Sequence, residues 1–168
     1  LESRGQVKLL AVTLTKDHPL AAPYCDVINT FYGRPEIPLG VVKNGKTPEP
    51  SKFLPLAEQI IGDQFRFSHR LVDGREAPDA TTLLRKTLAA QPDGSVVVVQ
   101  VGFSTNLARL LASPADDHSP MTGKELVARK VRLLSLMAGA FTPIGKEPRY
   151  KEYNVVMDIP AAKQLAQD

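Results

Sequence analysis

Two short stretches carry the side chains best suited to chemistry: V-G-F-S-T-N, Val101 to Asn106, and E-Y-N-V-V-M-D, Glu152 to Asp158. In the first, Gly102 lets the backbone turn sharply after a valine-rich run, and Asn106 offers an amide. In the second, Glu152 and Asn154 share a side if the segment is extended. A carboxylate and an amide two residues apart could hold the vicinal hydroxyls of a sugar. Each has a plainer reading, Asn106 as a helix cap and Glu152 as a solvated charge. Familiar short motifs are missing: no G-x-G-x-x-G, P-loop, G-x-S-x-G or H-E-x-x-H occurs. His18, His69 and His118 lie far apart in sequence, so a zinc triad is not expected. Cys25, the one cysteine, leaves no disulfide framework and reads as a small apolar residue on a helix face.

The elements that position these groups follow from the apolar periods. Ser95 to Val101 is almost all valine without polar alternation, which predicts a strand buried on both faces, as in the middle of a parallel sheet. Ser104 or Thr105 then caps a helix with Leu107, Leu110 and Leu111 on one face. Together they place backbone groups at the carboxyl edge of a sheet, where open α/β folds bind ligands.

Leu1 to Gly5 reads as the last turn of a helix stopped by glycine, and Ala161 to Asp168 as the start of another. Val7 to Leu14 is a strand and Leu20 to Tyr32 a helix, with Ala21, Tyr24, Cys25, Ile28 and Phe31 as its apolar positions. Ile37 to Val42 is a strand. The stretch from Lys43 to Pro55, with Pro48 and Pro50, is a surface loop, Phe53 to Ile61 a helix, and Gly62 to Pro78 a charged, aromatic excursion. Asp79 caps a helix with Ala80, Leu83, Leu84 and Leu88 buried. Pro92-Asp93-Gly94 is a turn, the stretch from Thr122 or Gly123 to Lys130 a helix, Val131 to Met137 a buried strand and Glu152 to Asp158 a short strand.

Strands alternating with helices predict an α/β fold: a Rossmann-like, open, mostly parallel sheet with helices on both faces, in a single partial domain over residues 1–168. Composition narrows the function classes. The net charge of +3 is scattered, not gathered into a basic stripe, so no nucleic acid is expected. No apolar stretch is long enough to span a membrane.

Several weak motifs in one register carry a resemblance. L-L-A-V-T at Leu9 to Thr13, G-R-P-E-I-P at Gly33 to Pro38, V-G-F-S-T-N-L-A at Val101 to Ala108, the Leu136 to Gly139 turn and E-Y-N-V-V-M-D-I-P-A-A at Glu152 to Ala162 resemble the inosine-uridine-preferring nucleoside hydrolases. The resemblance implies hydrolysis of the N-glycosidic bond of ribonucleosides, with a purine or pyrimidine base leaving. It also implies calcium (Ca2+), which holds the ribose hydroxyls and activates a water. Residue by residue, Val101 would give its main-chain carbonyl to calcium. Met137 would line the ribose pocket, Glu152 and Asn154 would bind ribose hydroxyls, and Asn106 would join the substrate site. His18 sits where the family has a Gly-Asn pair that contacts substrate, and Asp158 would support the loop and the following helix. The family is commonly oligomeric, so a homo-oligomer is an expectation of the same kind.

The departures are specific. The family's aspartate cluster would precede Leu1, and its later aspartate and base-assisting histidine would follow Asp168, so the sequence reads as a fragment without catalytic residues. Ala138 replaces a glycine, and Gly145-Lys146 occupies the place of a Gly-Asn pair. A single carbonyl is too few ligands for a cation that takes six to eight oxygens, so the chain by itself is expected to be inactive. The alternative is a non-catalytic ribose- or nucleotide-binding α/β module built on the Gly102 to Asn106 turn. Compartment is not legible.

Overall fold

The computed structural model describes residues 1–46 and 51–167. The chain divides into two compact units, Leu1–Leu83 and Leu84–Asp168.

The first unit opens with a 3-10 turn, Glu2–Arg4, closed by Gly5 in the left-handed region at φ 67°. Strand β1 (Val12–Lys16) leads through helix α1 (Ala21–Phe31) to β2 (Leu39–Lys46). The two strands pair in parallel, with Val12 opposite Leu39 and Leu14 opposite Val41, as a strand–helix–strand crossover requires. β2 runs four residues past the expected Val42. The rest of the expected proline loop includes residues 47–50, which lie outside the described residues. The helix expected from Phe53 shortens to a 3-10 turn, Leu54–Glu58, followed by a small antiparallel hairpin of β3 (Ile60–Ile61) and β4 (Gln64–Phe65).

The buried face of α1 is not the expected one. Ala22, Asp26 and Asn29 are inside, whereas Ile28 and Phe31 are 40% and 79% exposed. Asp26 explains the rotation, because its Oδ2 accepts the backbone N–H of Arg70 at 2.7 Å and of Leu71 at 2.9 Å. The carboxylate thereby pins the long excursion onto α1. Ala22, Val41 and Ala77 form the core here, with Leu14 and Leu71 against them. Gly40 has no room for a side chain: a Cβ would stand 2.9 Å from Leu83 Cδ2, where helix α2 (Ala80–Ala89) begins. Asp79 caps α2 as expected, accepting the N–H of Thr81 and of Thr82.

The second unit contains β5 (Val96–Gln100), α3 (Thr105–Ala112), α4 (Gly123–Lys130), β6 (Val131–Leu136), α5 (Tyr153–Met157) and α6 (Ile159–Gln167). β5 and β6 pair in parallel, Val97 opposite Leu133 and Val99 opposite Ser135. The expectation of strands buried on both faces fails for both. Val96 and Gln100 are buried, but Val97, Val99 and Leu133 are 42%, 65% and 55% exposed. Among the described residues β5 pairs only with β6, and the face that carries Val97, Val99 and Leu133 is exposed.

Helices supply the core of this unit. Leu88, Leu110 and Leu126 are at most 2% exposed, each contributing about 1.5–3 kcal/mol of burial. α4 opens with a capping box in which Thr122 and Glu125 satisfy each other's backbone N–H. The connection from α3 to α4 is fastened by Arg85, 2% exposed, whose guanidinium meets Asp116 through Nε at 2.7 Å and Nη2 at 2.9 Å. It also donates to Ser113 Oγ and to the carbonyls of Ser119 and Met121.

Candidate functional site

The carboxyl ends of β5 and β6 meet at one backbone hydrogen bond, Met137 N–H to the Gln100 carbonyl at 2.9 Å. After it the two chains diverge. Val101 follows β5 and is 69% exposed, so its carbonyl lies at a sheet edge where the ladder has ended. The turn to α3 buries Phe103, Ser104, Thr105 and Asn106. Ser104 occupies the cap position without a side-chain cap bond, so Asn106, two residues further, is an interior helix residue and not the cap.

Glu152 and Asn154 do come together with Met137, though not along a strand. The segment expected to be extended is helix α5, with Glu152 as its N-cap. Glu152 Oε1 accepts the N–H of Asn154 at 2.9 Å and Oε2 that of Val155 at 3.0 Å. A longer contact of 3.4 Å runs from Gly139 N–H to Oε2. A carboxylate at a helix N-terminus satisfies orphan donors and complements the helix dipole, which outweighs the strand tendency of Tyr-Asn-Val-Val. Asn154 is buried, and its Nδ2 donates to the Met137 carbonyl at 3.1 Å. The amide therefore fixes the end of β6, while the Met137 side chain stays about half exposed. Replacing Glu152 by alanine should lower stability by about 1 kcal/mol, the usual worth of a cap, measured by denaturant unfolding. An unchanged midpoint would mean that the cap bonds contribute nothing.

Asp158 supports the following helix as expected. Its Oδ2 accepts from Thr105 Oγ1 at 2.5 Å and its Oδ1 from Ala161 N–H at 3.3 Å, tying the turn of α3 to α6. Gln100 was missed from the sequence. Its side chain is buried on the inward face of β5, Nε2 reaches Ser104 Oγ at 3.2 Å, and Oε1 accepts no hydrogen bond. The available signal was its place as the first polar residue after four valines.

His18 belongs to the first unit, where its Nδ1 accepts the N–H of Leu20 at 3.1 Å. Cys25 is also there, and burial followed by the neighbouring Asp26 charge pushes its thiol up to about 11. It is protonated at neutral pH and no nucleophile. The described side chains alone do not make a calcium site. Among the described residues no three His, Cys, Asp or Glu side chains converge, and the carboxylate nearest the edge, Glu152, is engaged by backbone amides.

Comparison with solved structures decides the fold. The chain superimposes over 94% of its length on a plant nucleoside hydrolase with a TM-score of 0.66 and 20% sequence identity. The fold is that of a nucleoside hydrolase. The chain spans 48% of that enzyme's length, so it carries about half of the nucleoside hydrolase fold as seen there. No protein-family model and no curated protein matches the sequence. No helix among the described residues is long and apolar enough to cross a membrane.

Proposed function

We propose that this chain is part of a nucleoside N-ribohydrolase, which splits a purine or pyrimidine ribonucleoside into ribose and base with water; calcium, if bound, would supply the activation of that water. The superposition on a plant nucleoside hydrolase supports this reading most. The groups gathered at the carboxyl edge of β5 and β6 are its second support. In this reading the Val101 carbonyl is one calcium ligand, and further carboxylates are needed beside it. Met137 lines the ribose pocket, Glu152 and Asn154 contact ribose hydroxyls, and Asn106 holds the turn against the substrate. Inosine and uridine are the substrates of choice. The transition state is oxocarbenium-like, as in glycoside hydrolysis. A homo-oligomer is part of the same proposal.

The test is base release from inosine and uridine by the protein of the complete reading frame, with calcium and then with a chelator. Free base with calcium and none with chelator supports the ribohydrolase. No base under either condition refutes it. The second reading, a ribose- or nucleotide-binding module, uses only the neutral groups of this edge. Retention of ribose without any base release would favour it.

A further inference from the structure

The chain leaves β6 at Leu136 and enters α5 at Tyr153, so residues 137–152 form one loop at the carboxyl edge of β5 and β6. Its two ends are fastened to each other, by Asn154 Nδ2 to the Met137 carbonyl at 3.1 Å and by Gly139 N–H to Glu152 Oε2 at 3.4 Å. Long surface loops with closed ends are a common form of binding loop. Every residue from Phe141 to Lys151 is exposed. Ile144 and Glu147 exchange both backbone hydrogen bonds at 3.0 Å, with Gly145 at φ 61°, so Lys146 stands at the tip of a tight turn.

Two features of this loop serve nothing within the fold. Phe141 is 95% exposed, and its ring rests against Gly139, where a Cβ would stand 3.0 Å from Cζ. The Gly139 amide in turn reaches Glu152, so a bare aromatic ring lies beside the groups proposed for the ribose hydroxyls. The other feature is charge. Between Ala138 and Lys151 there are three cations, Lys146, Arg149 and Lys151, and one carboxylate, Glu147, in a chain whose whole net charge is +3. None of the three cations forms an ion pair among the described residues.

Cations that no carboxylate neutralises attract an anion, and a ring left in water gains by stacking on a planar base. A ribonucleoside held through its 2′ and 3′ hydroxyls by Glu152 and Asn154 has only its 5′ carbon free to carry that anion. We propose that this loop recognises a phosphate on the 5′ carbon, which extends the substrates from inosine and uridine to their 5′-monophosphates. Lys146 and Arg149 meet the phosphate and Phe141 lies against the base. The water oxygen bonds the anomeric carbon, the bond to the base nitrogen breaks, and that nitrogen gains the water's proton. Ribose 5-phosphate and free base result, with the phosphate ester intact. The proposal rests on the ribohydrolase reading and adds a substrate class to it.

Base release by the protein of the complete reading frame, from inosine and inosine 5′-monophosphate in parallel, tests it. The monophosphate should be cleaved with a kcat/KM equal to that of inosine or higher, and added salt should lower the ratio of the two. Lys146→Ala combined with Arg149→Ala should lower that ratio about tenfold. A monophosphate cleaved less well than inosine, or a ratio untouched by the double variant, overturns the proposal. If neither compound releases base, the ribohydrolase reading has failed, and calorimetric binding decides on the loop alone. Tighter binding of the monophosphate than of inosine and of inorganic phosphate, lost in the double variant, upholds phosphate recognition by the loop. Absent binding, equal binding of the monophosphate and either comparator, or a preference kept in the double variant overturns it.

Discussion

Replacing Gly123 by alanine should destabilise the second unit by more than about 3 kcal/mol, beyond the usual range for overpacking. Gly123 begins α4 where it passes the end of α3, and its N–H donates to the Ser113 carbonyl at 2.8 Å. A Cβ there would stand 1.6 Å from the Leu110 carbonyl oxygen and 2.7 Å from both the Leu110 carbonyl carbon and Ser113 Oγ. No rotamer change relieves a collision with backbone, so the two helices must separate or the capping box must open. Gly94 provides the control. It has a positive φ of 60° but nothing within 4 Å, so its alanine variant should cost only about 1–2 kcal/mol for the left-handed backbone. Chemical denaturation of both variants checks the pair. Equal losses at the two positions would contradict the close approach of α3 and α4.

Arg85→Ala should cost about 3 kcal/mol, because a buried guanidinium is removed and the groups it held lose their donors. Asp116, Ser113 Oγ and the carbonyls of Ser119 and Met121 all accept from it. Arg85→Lys keeps the charge but not the planar fork, so it should recover only part of the loss. Acid supplies a second readout. Hydrogen bonding from Arg85 holds the Asp116 carboxyl down at about 2, assisted by the Ser119 amide. A depressed carboxyl stabilises the fold above its unfolded value near 3.8, and the contribution is lost as pH falls through about 2. The gap between wild type and Arg85→Ala should therefore narrow from pH 4 toward pH 2. A gap independent of pH in that window, or one below about 1 kcal/mol at neutral pH, would show that the pair does not fasten the loop.

What the sequence conveyed depended on whether a residue's neighbours are local. The cap at Asp79, the stop at Gly5 and the turn at Gly94 were all legible, because each is decided within a few residues. The α/β alternation was legible for the same reason. The burial of the valine run is not legible, since four valines in a row hide the period of two that separates the buried Val96 from the exposed Val97. Glu152 to Asp158 was misassigned because β-branched residues outweighed a cap whose worth shows only when the carboxylate folds back on Asn154 and Val155. Asp26 was invisible as a buried residue, because the amides it accepts lie 44 and 45 positions away. Of the candidate site, Val101, Met137, Glu152 and Asn154 fall in one unit at one strand edge, whereas His18 falls in the other unit.

The uncovered side of β5 and β6 has a consequence for any measurement on the chain. Val97, Val99 and Leu133 present a greasy surface in the native state itself, without any need for unfolding. Were two molecules to meet on such a surface, mass action would make the transition midpoint rise with protein concentration. Comparisons between variants accordingly belong at one fixed dilution, with a dilution series establishing how much of each apparent stability is shared between molecules.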